Sequence, residues 1–229
     1  MQDDYPLTVL LPADYTTTQD TLPLVLVLDG IWHQSNVANS VRATGTRAII
    51  VGIGNNQRRE PDFVPPAFNG QLPGTADGDA DHYVAMLRDE ILPLLEQRYR
   101  IDPARRYLVG HSLGGLLAEY ALLTDNPDTP LFRGYFASDS SNFNYEYLAN
   151  LETLFFQQTR TLPVQLFIAS ATSGNGVRAQ YVGRLMEEHH YPALELTIRS
   201  YTTDHNGVMS LATPEAMAFF FSPSSASAQ

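Results

Sequence analysis

The sequence predicts an α/β protein with a mostly parallel central sheet and helices on both faces. Two observations predict it. Short, densely aliphatic runs recur along the chain and stop at Gly, Asp or Asn, and runs apolar on both faces are what strands covered on both sides look like. Stretches of helical period lie between them, so strand and helix alternate as they do in an α/β domain.

In chain order, residues 9–11 (VLL) form a short β-type run closed by Pro12. Residues 22–28 (LPLVLVL) stop at Asp29-Gly30, and residues 48–53 (AIIVGI) stop at Gly54-Asn55-Asn56. Residues 107–109 (YLV) stop at Gly110, and 135–137, 164–169 (VQLFIA) and 194–198 follow. A helix is expected where Tyr83, Leu87, Ile91, Leu94 and Leu95 recur at helical spacing, with Arg88, Glu90, Gln97 and Arg98 on the other faces. Residues 113–123 read as a nearly all-apolar, therefore buried, helix. Residues 145–159 and 177–190 are amphipathic, and 214–221 is the expected final helix. The longest irregular piece, 55–78, is rich in Pro, Gly and Asn, and loops of that length are often functional. Residues 1–222 are read as one domain and 223–229 as a flexible polar tail.

Composition narrows the function. With 44% hydrophobic and 17% charged residues among 229, the chain can bury a core and fits neither a disordered nor a membrane class. No apolar run approaches the roughly 18 residues that span a bilayer. A formal charge of −11 argues against nucleic acid, whose phosphates need basic patches. The absence of cysteine excludes disulfides, thiolate chemistry and Cys-bound zinc. The acidic start MQDDY lacks the apolar stretch of a signal peptide. The expectation is a soluble protein of the cytoplasm or, after loss of a leader, of the periplasm or exterior, with no cofactor or metal. Oligomeric state is not legible.

Chemistry enters at Gly110-His111-Ser112-Leu113-Gly114-Gly115. This G-x-S-x-G stands where a strand gives way to a helix, so Ser112 is expected on a sharp turn with its hydroxyl presented at the sheet's carboxyl end. Gly110 and Gly114 flank it because a Cβ there would collide. The helix N-terminus aims backbone N–H groups at a developing oxyanion, Leu113 N–H among them. A second donor, Gly30 or Ile31 N–H, is expected after the 22–28 strand. Trp32 is a candidate lining of an acyl pocket, although a lone Trp is equally a packing residue.

Six histidines are present, and His205 alone follows the last strand and precedes the last helix, the place of the general base. His111 is expected to point away from the site, and His189-His190 to close a helix. Asp77-Gly78-Asp79-Ala80-Asp81 resembles a calcium loop, but Arg88 stands where the bidentate Glu belongs. Acidic N-capping of the following helix is the preferred reading.

With these pieces placed, the chain resembles the esterase family of enterochelin and related siderophore esterases, feruloyl esterases, S-formylglutathione hydrolases and mycolyltransferases. The resemblance rests on LLPADY, LPLVLVLDG, AIIVGIGNNQRREPDF, DEILPLLEQRYRIDPARRYLVGHSLGG and DHNGV. It implies the α/β-hydrolase fold and ester hydrolysis, with Ser112 as nucleophile, His205 as base and the Asp29-Gly30 loop as oxyanion loop. Arg58 or Arg59 matches an Arg-containing loop near the site. The family's acid normally follows the strand at 164–169, but residues 170–176 (SATSGNG) hold no carboxylate. Four readings stay open. The first is a Ser–His dyad, as the siderophore branch suggests, with His205 oriented by Ser173 or Asn175. The second is Asp139 reaching across from the preceding strand. The third is Asp204, and the fourth Glu187 or Glu188.

The expected reaction is hydrolysis of a small-molecule carboxylic ester through a Ser112 acyl-enzyme. Acyl transfer to an alcohol, or a non-catalytic ligand-binding homologue, would use the same site.

Overall fold

Alternate side chains of β2 (Leu22–Val27) serve two cores. Leu22, Leu24 and Leu26 face one apolar layer, and Val25 and Val27 face the other, as the two-residue repeat of a strand requires. The computed structural model describes residues 4–55, 58–68 and 78–221.

Among these residues the sheet has seven strands: β1 (Leu7–Leu10), β2, β3 (Ile49–Ile53), β4 (Ile101–His111), β5 (Gly134–Ser138), β6 (Gln165–Ser173) and β7 (Glu195–Asp204). Their order is β1-β3-β2-β4-β5-β6-β7. β1 pairs antiparallel with β3, and every other pairing is parallel. The chain leaves β2 toward β3 on one side and returns to β4 on the other. A crevice at the strands' carboxyl ends is where such a reversal places a ligand.

Helices α1 (Gly30–Ala43) and α8 (Val208–Phe221) cover one face, where Val37, Val41, Met209, Ala212 and Phe220 meet Val25, Val109 and Phe136. The other face carries α2 (Arg59–Phe63), α3 (Ala80–Met86), α4 (Leu92–Arg98), α5 (Leu113–Leu123), α6 (Tyr145–Gln158) and α7 (Tyr181–His189). A π-helical turn over Leu87–Ile91 joins α3 to α4. Pro93 has no N–H to return to the preceding turn, and widening the turn is one way a helix absorbs that loss.

Several elements differ from expectation, among them a short helix, α2, inside the piece expected to be irregular. Helix α1 is invisible to an apolar-period search because Gln34 and Ser40 are among the residues it buries. Strand β4 starts six residues before the apolar run. Its pairing with β2 jumps from Leu22↔Ile101 to Leu24↔Arg106, so Asp102, Pro103, Ala104 and Arg105 lie in an irregularity, where a strand Pro is tolerated. Helix α8 begins at Val208, ahead of Pro214, which lies inside it. The tail at 223–229 lies outside the described residues.

Gly110, in β4, packs so closely that a Cβ would run into the backbone of Gly114. Gly110→Ala is expected to destabilise the protein by roughly 1–3 kcal/mol, read as a lower midpoint in thermal or urea unfolding; an unchanged midpoint would show that the turn has slack.

Candidate active site

Three neighbouring strands end in non-glycine residues of positive φ: Asp29 (53°) after β2, Ser112 (61°) after β4 and Asp139 (43°) after β5. Parallel register puts these ends side by side, with Val27 opposite Val109 and His111 opposite Ser138. Residues held in this region store strain of about 1–3 kcal/mol, which the surroundings must offset. Here they do. Ser112 N–H donates to Ser138 C=O at 2.9 Å, and Ser141 N–H donates to Ser112 C=O at 3.1 Å. The Ser112 hydroxyl lies 3.3 Å from the Ser141 hydroxyl.

Leu113 is the first residue of α5 and Gly30 the first of α1. First-turn N–H groups have no intrahelical acceptor, so both helix starts present donors at the same sheet edge. Gly30 is also where α1 crosses β3, since a Cβ there would strike Gly52 and Ile53. The Ile31 side chain is exposed.

His205 sits in the turn between β7 and α8, with Nδ1 2.6 Å from Asp139 Oδ2. Asp139 is buried and accepts N–H bonds from Ala171 (2.8 Å) and Asn175 (2.9 Å), while Asn175 Nδ2 donates to the Asp139 carbonyl at 2.7 Å. Burial alone would raise its pKa. The His205 ring and the two backbone N–H groups outweigh burial, and the pKa falls below the usual carboxylate value.

The partner of His205 is therefore Asp139, not the neutral Ser173 or Asn175 of the dyad reading. The loop after β6 wraps the carboxylate so tightly that a Cβ on Gly174 would strike it. That loop supplies donors to an acid borrowed from β5. Asp204 instead accepts from Gly207 N–H at 2.8 Å. Glu187 pairs with Arg184, and Glu188 is exposed.

Ser112 and His205 line a pocket of about 390 Å³ together with Trp32, His33, Asn36, Arg59, His111, Asn206, Met209 and Ser210. A larger cavity of about 510 Å³ lies between the β1 exit and the far end of α1, and holds none of these residues. His111 does not point away from the site as expected. Its ring centroid is 4.5 Å from that of His205 and 5.4 Å from that of His33, and its Nδ1 is 3.1 Å from Ser138 C=O. The strand runs on through His111, so it shares a face with Val109, two residues earlier. Burial first, then neighbouring His205 and His33, push its pKa down to about 4, leaving it neutral at pH 7. His33 is lowered too, mainly by burial.

The arginines are fixed from below. Arg59 makes two 2.8 Å bonds to Asp29, which is fully buried. Its guanidinium lies 5.8 Å from the Trp32 ring and 5.4 Å from the Phe63 ring. Trp32 itself is 61% exposed, so it forms a rim, not a core. Arg58 holds Asp62 (3.3 Å) and Asp79 (2.7 Å).

Asp79 occupies the N-cap position of α3 without capping it, because its carboxylate serves Arg58 and His82. Asp81 accepts from the Tyr120 hydroxyl, and Asp77 lies outside the described residues. Among the described residues no group of three or more His, Asp or Glu is arranged to hold a metal. His189 closes α7 with Nδ1 2.9 Å from the buried Glu152.

The chain is similar to known esterases. A family model described as "Putative esterase" matches residues 1–137. The ferri-bacillibactin esterase BesA of Bacillus subtilis is 29% identical over 189 residues, covering 72% of this chain and 62% of the relative. The siderophore triacetylfusarinine C esterase of Aspergillus fumigatus is 31% identical over 143 residues, covering 56% of this chain and 47% of the relative. In both cases the match spans less than two thirds of the relative's own length. The structure of the siderophore hydrolase EstA from Aspergillus nidulans superposes with a TM-score of 0.80 at 19% identity, covering 94% of this chain and 89% of that one, and shows the same α/β-hydrolase fold. No described helix is long and apolar enough to cross a membrane.

Removing Arg59 would strand a buried carboxylate. Arg59→Met is expected to cost about 3 kcal/mol, and Asp29→Asn combined with it to recover part of that loss. A double-mutant cycle by urea unfolding measures the coupling; strictly additive losses would mean that the pair contributes nothing.

Proposed function

The chain belongs to this esterase family, and on that premise we propose that it hydrolyses carboxylic esters through Ser112, His205 and Asp139. The observation that carries the reading is what gathers at one sheet edge: a serine on a strained strand-to-helix turn, an imidazole lining the same pocket, and a buried carboxylate 2.6 Å from that imidazole's Nδ1.

In the first step Ser112 Oγ attacks the ester carbonyl and His205 Nε2 takes its proton. Asp139 accepts from Nδ1–H, fixes the tautomer and stabilises the imidazolium. Leu113 N–H, with Gly30 or Ile31 N–H, receives the charge that develops on the carbonyl oxygen. Collapse of the intermediate breaks the carbon–oxygen bond, the alcohol leaves with the His205 proton, and the acyl group stays on Ser112. Water then repeats the sequence and releases the acid. Neutral His111, its ring tilted 35° against that of His205, adds no second positive charge beside the forming imidazolium.

For substrate we propose siderophore-type esters. The two curated relatives are named for such substrates. A pocket of about 390 Å³ with an exposed Trp32 at its rim has room for one acyl arm, with the rest of a larger molecule lying over the edge.

The test is a panel of p-nitrophenyl esters of increasing chain length, with aryl and siderophore-type esters, on wild type and variants. Ser112→Ala is expected to lose essentially all turnover and all labelling by a fluorophosphonate. Activity surviving in it sinks the mechanism. Asp139→Asn is expected to lower kcat by about 10³- to 10⁴-fold, whereas Asp204→Asn stays near wild type. A Ser–His dyad would leave Asp139→Asn nearly as fast as wild type.

A further inference from the structure

Seven residues beyond Ser112, in the middle of α5, Glu119 is fully buried. The proposed mechanism gives it no part. Its Oε2 accepts from Asn142 Nδ2 at 2.7 Å, and Asn142 is equally buried. Each partner of that bond has one further buried oxygen, Glu119 Oε1 and Asn142 Oδ1, outside hydrogen-bond geometry with any donor, although the Ser140 hydroxyl lies close enough to act on the Glu119 carboxyl group. Both are acceptors while Glu119 is ionised. A proton on the carboxyl group turns one into a donor, and acid and amide can then satisfy each other on both sides.

The surroundings favour that proton. Burial dominates and raises the Glu119 pKa to about 8, the Asn142 amide and the Ser140 hydroxyl pulling it only part of the way back. The ionisable groups on neighbouring elements are engaged elsewhere. Asp81 of α3 and Tyr147 of α6 gather round Tyr120. Asp29 and Arg59 of the α1–α2 side pair at the start of α5. On the strand side, His111 of β4 bonds Ser138 C=O, and Asp139 follows β5 and bonds His205.

Asn142 matters because of the loop it closes. Ser141 N–H is bonded to Ser112 C=O, Asn142 N–H to Ser140 C=O and Phe143 N–H to Ser141 C=O. Within this short loop stand the carboxylate on His205 and the hydroxyl 3.3 Å from Ser112 Oγ. Ser140 is pressed against the same helix, since a Cβ on Gly115 would meet its hydroxyl at 2.6 Å.

We propose that Glu119 is a positioning residue: as a neutral acid paired with Asn142, it clamps the loop of Asp139 and Ser141 onto the helix that begins at Ser112. The role rests on the ester-hydrolase reading above. Loss of the proton would leave a buried charge against an amide oxygen and loosen the clamp, so turnover falls as pH rises through about 8.

The test compares Glu119→Gln, which keeps a neutral donor and acceptor, with Glu119→Leu, which keeps neither. Glu119→Leu is expected to lower kcat about 10- to 100-fold with KM little changed. Glu119→Gln is expected to match wild type at pH 7 and to keep its rate where the wild type falls. If Glu119→Leu does not fold, Asn142→Leu breaks the same pair from the loop side.

Protonation is read independently of activity. Between the ordinary Glu value of 4.5 and about 8, the unfolded chain has lost a proton that the folded protein keeps. Rising pH therefore favours unfolding of the wild type across that window, and Gln removes this drag. The melting-temperature advantage of Glu119→Gln should widen from pH 5 to pH 8. A flat difference, or a folded Glu119→Leu with wild-type kcat and pH profile, overturns the proposal while Ser112 labelling stands. A wild type that neither turns over esters nor takes the label brings down the ester-hydrolase reading and the positioning role with it. The melting comparison needs no turnover and would still show whether the acid–amide clamp exists.

Discussion

Parallel pairing of β2, β4 and β5 brings three chain reversals to one edge of the sheet, each made by a non-glycine residue of positive φ. Any one of Asp29, Ser112 and Asp139 would relax if cut free. None can, because each is held by a neighbouring element. Ser112 N–H is held by the residue before Asp139, and Asp139 is held by N–H groups from the end of β6 and the loop after it. Asp29 carries the guanidinium of Arg59. The strain at Ser112 and Asp139 is offset by hydrogen bonds to the adjacent strand ends and that at Asp29 by Arg59, so the geometry at Ser112 is a property of the sheet edge as a whole.

That dependence explains what was legible in the sequence. The strands were, because residues such as Leu24, Leu26, Ile49, Leu108 and Phe167 are apolar on both faces and a doubly covered strand has few other ways to look. Helix α5 was too, for the same reason. The G-x-S-x-G turn and the position of His205 follow from local chemistry and chain order, and both residues line one pocket. Helix α1 was hidden by a buried face that includes Gln34, which bonds the Thr8 and Ile50 carbonyls at the sheet.

The acid was hidden differently. Asp139 is 66 residues from His205 along the chain, and nothing local to either marks the pairing. Its backbone also sits in a conformation that sequence does not announce, although Asp tolerates it better than most residues. The segment after the 164–169 strand, where a carboxylate was expected, supplies the donors instead. His111 carried a usable signal, its two-residue offset from Val109, which puts it on the α1–α8 face. Glu119 carried one as well: a lone acid in a helix otherwise apolar enough to be called buried.

The two helices that line the pocket are also structural walls. Asn36 of α1 bonds the Met209 carbonyl at 3.0 Å and the Thr213 hydroxyl at 3.1 Å, joining α1 to α8 across most of the chain's length. Met209 belongs at once to the apolar layer beneath and to the pocket above. Reshaping the recess at Asn36 or Met209 therefore disturbs the scaffold, so selectivity and robustness change together there. Trp32 and Ser210 are exposed on the same recess, and a designer or a lineage can vary them with the framework left at rest.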